Sequence, residues 1–243
     1  MRTTSWRTFF EMTARPAAGL RWMDAHVASW GVDTVVRTHG HWHAALFHLA
    51  EGHADRALAS YDLHIQPDTP GDVADLIDAS SLLWRIELRG GAAGARWRRL
   101  AAAWERHLTD AFCSFTDVHA MLAFVGAGDD KRAARLERAV AGAQSLPTRY
   151  GATTRDIGLP ACRALRAFGR GDDALAVALF ASLPPLAHCL GGSQAQRDVL
   201  DLTGQRAVER LRRCVRAAAL PRRRSMPAVA TAVVAFTVRP RAA

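Results

Sequence analysis

Residues 39–67, HGHWHAALFHLAEGHADRALASYDLHIQP, read as two helices joined by a tight turn, and they also hold the densest run of histidines in the chain. Gly52 marks the turn, because glycine enters the left-handed conformation that ends a helix at little steric cost. Ala57, five residues on, is small enough to let two helix axes approach to about 8–10 Å. Tyr61, one turn after Ala57, fills the space beside that crossing, and Pro67 closes the segment. Any antiparallel helix pair needs a glycine turn and a small residue, so the pattern gains weight only by recurring.

It recurs twice. Gly171, Ala176 and Phe180 repeat the spacing in full, and Gly128 with Ala133 repeats its first part, with Leu136 in place of the aromatic. A hairpin repeated along the chain predicts an all-α protein of stacked helical units. Between the hairpins, DVADLIDASSLLWRIELRG at 72–90 is apolar around most of its circumference and predicts a buried helix. Asp75, Asp78 and Arg85 nevertheless share one stripe of it. Two readings are open for that stripe: a surface row of ion pairs, each contributing little, or the lining of an inner groove. Asp72 is placed to cap this helix, Pro160 suits the first turn of another, and Ser193 with Gln196 has the spacing of a capping box. Residues 5–30 read as two further helices, with Gly19 at a crossing position.

A chain of 243 residues, 49% of them hydrophobic, is long enough to build a continuous core without a disulfide or a metal. Cys113, Cys162, Cys189 and Cys214 form no CxxC pair, which excludes a zinc ribbon and a dithiol redox motif. The start, MRTTSWRTFFEM, lacks the apolar run of a signal peptide. No stretch reaches the roughly 18 apolar residues of a membrane span. A cytoplasmic protein with no transmembrane segment is the expectation.

The net charge of +9 is unevenly placed. Residues 205–243 hold ten arginines against the single acid Glu209, and the first 204 residues carry 22 bases and 22 acids. The expected division is therefore a helical-repeat domain over 1–204 and a basic, disordered or frameshifted tail over 205–243. A solvated tail is the expectation there, with no specific nucleic-acid partner. No P-loop, GxGxxG or nucleophile elbow occurs, so neither phosphate binding nor acyl transfer is indicated, and no cofactor is expected.

Several blocks together resemble the tetratricopeptide repeat protein 38 family: HGHWHAALFHL with GHADRALASYDLHI, DLIDASSLLWRIELRG, FTDVHAM, RDIGLPACRAL and GGSQAQRDV. They run in the family's order over about residues 39–200 and correspond to the C-terminal half of a typical member. The resemblance implies tetratricopeptide-like hairpins stacked as a short right-handed solenoid, a binding or scaffold role, and no established catalytic residue. The family's N-terminal repeats have no counterpart, which leaves one end uncapped and suited to a homodimer. After Asp198 the family's closing helices give way to the Arg-rich tail, as a shifted reading frame in GC-rich DNA would produce.

The positions that match the family include many polar residues: His39, Trp42, His43, Asp62, His64, Asp78, Arg85, Asp117, His119, Arg155, Asp156, Gln196, Arg197 and Asp198. Their proposed use is to line a concave groove for a peptide or a small polar ligand. His39 and His43, at i and i+4, share one side of their helix, whereas His41 and His48 point elsewhere. Two readings are open for that pair. Either they satisfy hydrogen bonds among carboxylates in a half-buried polar layer, or they hold a metal with Asp117 and His119 in a metal-dependent hydrolase.

Overall fold

The computed structural model describes residues 15–30, 35–67, 72–110 and 112–219, and among them it contains helices and no strand. The first helix expected before residue 15 and the apolar run after 225 lie outside the described residues. Helix α1 spans Pro16–His26, α2 Val35–Ala50 and α3 Ala54–Ser60, which runs on into a π-helical turn, Tyr61–Ile65. Helices α4 (Val73–Leu88), α5 (Arg96–Trp104), α6 (Ser114–Gly126) and α7 (Asp130–Ala143) follow. Next come α8 (Arg149–Thr153) with a second π-helical turn at Thr154–Gly158, then α9 (Leu159–Gly169) and α10 (Asp173–Phe180). The short α11 (Gln194–Arg197) and the long α12 (Val199–Ala219) close the described chain.

Three hairpins, α2/α3, α6/α7 and α9/α10, are built on one turn. Gly52, Gly128 and Gly171 all take positive φ, at 86°, 67° and 76°. In each, the residue after the glycine donates back five positions: His53 to the His48 carbonyl at 2.9 Å, Asp129 to Phe124 at 2.9 Å and Asp172 to Ala167 at 3.0 Å. The glycine's own N–H bonds three positions back. That double bond is the Schellman ending, which satisfies carbonyls the helix leaves unpaired. Asp129 and Asp172 then cap the returning helix, accepting from Arg132 N and Leu175 N; His53 makes no such bond. Ala57, Ala133 and Ala176 sit fully buried at the three crossings, with Tyr61, Leu136 and Phe180 buried beside them.

One core runs through the hairpins and α4. Ser80 and Ser81, neighbours on α4, accept from the indole N–H groups of Trp104 and Trp42, at 2.8 and 2.9 Å. Each bond removes the cost of an unpaired buried donor, about 1–3 kcal/mol. Trp84 donates to Thr203 on α12 and Trp97 to Glu87, so four buried tryptophans are each anchored at the polar end. At the other end of the chain, Gly19 of α1 meets Phe47 of α2, where an added Cβ would come within 2.6 Å of the ring. The tail boundary expected at 204 falls inside α12 and coincides with no break. Ala207 and Val208 are buried in the body, and only from Glu209 onward does the helix carry no buried residue.

Candidate functional site

The α4 stripe carries the site. Asp78 and Arg85 are 3% and 5% exposed, so the surface reading of that stripe fails: α2 and α11 cover them. Asp78 accepts from two directions. His39 Nδ1 on α2 lies 2.8 Å from Oδ2, and Gln196 Nε2 on α11 lies 3.2 Å from Oδ1. Gln196 is itself aimed by the capping box at the start of α11, where its Oε1 accepts from Ser193 N at 3.0 Å. Arg85 donates through Nη1 to the Ser81 carbonyl at 3.0 Å and through Nη2 to the Ala195 carbonyl and Asp198 Oδ1. A local helix motif thus brings Gln196 onto Asp78, 118 residues away.

Around this pair the rings pack closely. His39 stacks on Trp42 with centroids 5.2 Å apart and meets His43 edge-on at 4.7 Å. His119, fully buried on α6, donates through Nδ1 to the Phe115 carbonyl 2.8 Å away. Burial, helped by the Arg85 charge, pulls its pKa down to about 4, so the ring stays neutral at physiological pH. Its Nε2 is buried and has no hydrogen-bond partner among the described residues. His39, with 23% of its side chain exposed, and Asp198, with 30%, form the rim, and the floor is closed.

The remaining sequence-nominated residues lie elsewhere. Asp62 pairs with Arg96 on the outer surface. His64 stacks on His41 at 3.8 Å. Arg155 pairs with its exposed neighbour Asp156. Arg197 turns to the carbonyls of Gly191 and Gly192. Asp62, His64, Arg155 and Asp156 all sit on the two π-helical turns, whose extra residue rotates side chains away from the direction an α-helix would give.

Asp117 and His119 do not join. Two residues apart on one helix, they point to nearly opposite faces. Asp117 accepts from Tyr150 Oη at 2.9 Å, in a pocket that also holds Ser114, Thr154 and Cys162. Burial pushes its carboxyl up to about 7, against the pull of the Tyr150 hydrogen bond. The four-residue metal set of His39, His43, Asp117 and His119 is therefore not assembled. Among the described residues no three His, Cys, Asp or Glu side chains are grouped to hold a metal ion.

Ser81, the Ala195 carbonyl and Phe115 belong to the site and carried no recognisable signal in the sequence. Asp75 did: its Oδ1 is buried without a hydrogen-bond partner, and burial raises its pKa. No family model matches the chain, and no solved structure matches it. Among the described residues no single helix is long and apolar enough to cross a membrane.

Proposed function

We propose that the chain is a cytoplasmic tetratricopeptide-like scaffold, related to the tetratricopeptide repeat protein 38 family, whose hairpins stack as a short right-handed superhelix. Its face around His39, Asp78 and Gln196 binds a peptide or a small polar ligand. The repeated Gly–Ala–aromatic hairpin supports the stacking. One observation carries the binding role: three helices distant in sequence deliver His39, Asp78, Arg85, Gln196 and Asp198 to one half-open polar layer. Buried charge of this kind stabilises a fold poorly compared with apolar packing of the same volume, and a ligand is one reason to keep it.

Probing an array of random-sequence short peptides with the wild-type chain and with Gln196→Ala tests the proposal. Gln196 is on the half-buried rim, so this variant keeps the core intact. A set of peptides held by the wild type and released by Gln196→Ala is the expected result. Identical retention by both chains would place binding elsewhere and overturn the assignment.

A further inference from the structure

Helix α12 outruns the body it packs on. Phe180, the last residue of α10, lies against Gly204, where an added Cβ would come within 3.2 Å of it. Asp173, the first residue of α10, pairs with Arg210 at 3.0 Å, and the same guanidinium covers the Phe168 ring of α9 at 4.3 Å. The returning helix therefore reaches no further along α12 than Arg210. The residues beyond it, to Ala219, carry α12 about 13 Å further. Of these, 212–218 are all exposed.

The apolar stripe does not stop where the body does. Leu200, Thr203, Gly204, Ala207 and Val208, three and four apart, are buried against the body. The same spacing continues through Leu211, Cys214, Val215 and Ala218, all within about 60° of Leu211 around the helix. Val215 is 45% exposed. Arg212, Arg213 and Arg216 occupy the rest of the projecting circumference. Among the described residues only Arg213 of the three has an ion pair, with Glu209 at 3.6 Å. After that acid the sequence has nine arginines and no Asp or Glu, and residues 226–238 are an uncharged apolar run.

Charge selects what can cover such a stripe. A second copy laid along it would set three more arginines against these three, with like charges facing. A nucleic acid would neutralise the arginines and leave the stripe in water. The surface of an anionic bilayer accommodates both, its phosphates meeting the guanidiniums and its acyl boundary the stripe. We infer that the projecting end of α12 docks on an anionic lipid membrane, with Leu211, Cys214, Val215 and Ala218 turned inward and the arginines among the headgroups. Leu211 is about 20 Å along the helix direction from Asp198, so this surface is independent of the peptide-binding reading.

Cys214 reports on the stripe directly. Of the four cysteines only Cys189 and Cys214 are exposed, so a charged maleimide, mapped by mass spectrometry, should label both in the full free chain. Vesicles of equal parts phosphatidylcholine and phosphatidylglycerol, at low salt, should shield Cys214 and leave Cys189 labelled; phosphatidylcholine vesicles should shield neither. Arg212→Gln combined with Arg216→Gln should weaken co-sedimentation with the mixed vesicles at least about tenfold. Val215→Ser leaves the charge unchanged and should weaken it about fivefold. All three positions are exposed, so the melting temperature should hold in each variant. Cys214 shielded without vesicles would give the stripe another occupant: a second copy if shielding grows with protein concentration, the chain's own tail if it does not. Vesicle binding that leaves Cys214 labelled and ignores Val215→Ser would be attachment by charge alone, and a DNA duplex held as tightly in the same way would mark a nucleic-acid surface. Any of these results, or no binding to the mixed vesicles, overturns the inference.

Discussion

Asp117 and His119 stand two residues apart on α6 and are each almost wholly buried, yet their surroundings drive them in opposite directions. Burial is the first cause for both, and it penalises whichever form is charged. The carboxyl therefore keeps its proton up to about pH 7, and the imidazole refuses one until about pH 4. What differs is the company. The Asp117 face is closed by the neutral donor Tyr150, whereas the His119 face contains Asp78, Arg85 and Asp198 and reaches solvent at His39. One helix thus separates a sealed hydrogen-bonded pocket from a charged, half-open layer.

Removing the cation from the charged face breaks that contrast most severely. Arg85→Ala leaves Asp198 without its ion pair and two carbonyls without donors, and should lower the unfolding free energy by about 3–5 kcal/mol. Urea denaturation reads this directly; a loss under about 1 kcal/mol would mean that water already stands in for the guanidinium.

The second effect appears as a slope. Asp117 ordinarily titrates at 3.8 and in the fold at about 7, so the folded state holds the extra proton between those values and stability falls as pH rises across them. His119 ordinarily titrates at 6.5 and in the fold at about 4, so here the unfolded state holds the extra proton and stability rises with pH. In the shared window, from pH 4 to 6.5, the two contributions oppose each other. Asp117→Asn should unmask the rise and His119→Gln the fall, each by roughly 2–4 kcal/mol across the window. Thermal melts at intervals from pH 4 to 7 check this, and parallel profiles for both variants would show that neither shift is real.

On the sealed face, Tyr150→Phe strands a buried carboxyl and should cost about 1–3 kcal/mol, more above pH 7 where the carboxyl is charged. Far from both faces, Asp62→Ala removes only the outer pair with Arg96 and should cost no more than about 1 kcal/mol. It should leave the pH profile of stability unchanged from pH 4 to 7.

The hairpins were legible because their signal is local. A glycine at the turn, an alanine five on and a bulky apolar group after it are consequences of chain geometry within one hairpin, and the structure shows them at Gly52, Gly128 and Gly171. Asp72 and the Ser193–Gln196 box could be read for the same reason. The site was legible only in part. His39, Asp78, Arg85 and Gln196 stand out in the sequence as polar residues, but their meeting depends on how α2, α4 and α11 pack, which no spacing records. Asp62, His64, Arg155 and Asp156 were nominated on the same grounds and lie apart, because the two π-helical turns rotate them outward. The surface reading of the α4 stripe failed because a helix apolar on nearly every side leaves no face for water.

The adjacent serines of α4 have a mechanical consequence. Successive residues on a helix point about 100° apart, so Ser80 and Ser81 hook Trp104 and Trp42 from different sides. Rolling α4 about its axis, or sliding it by one residue, would unhook both indoles at once. The floor of the polar layer is thus a fixed bearing. Any opening of the layer has to come from the opposite wall, where the four residues of α11 rest on a single capping box.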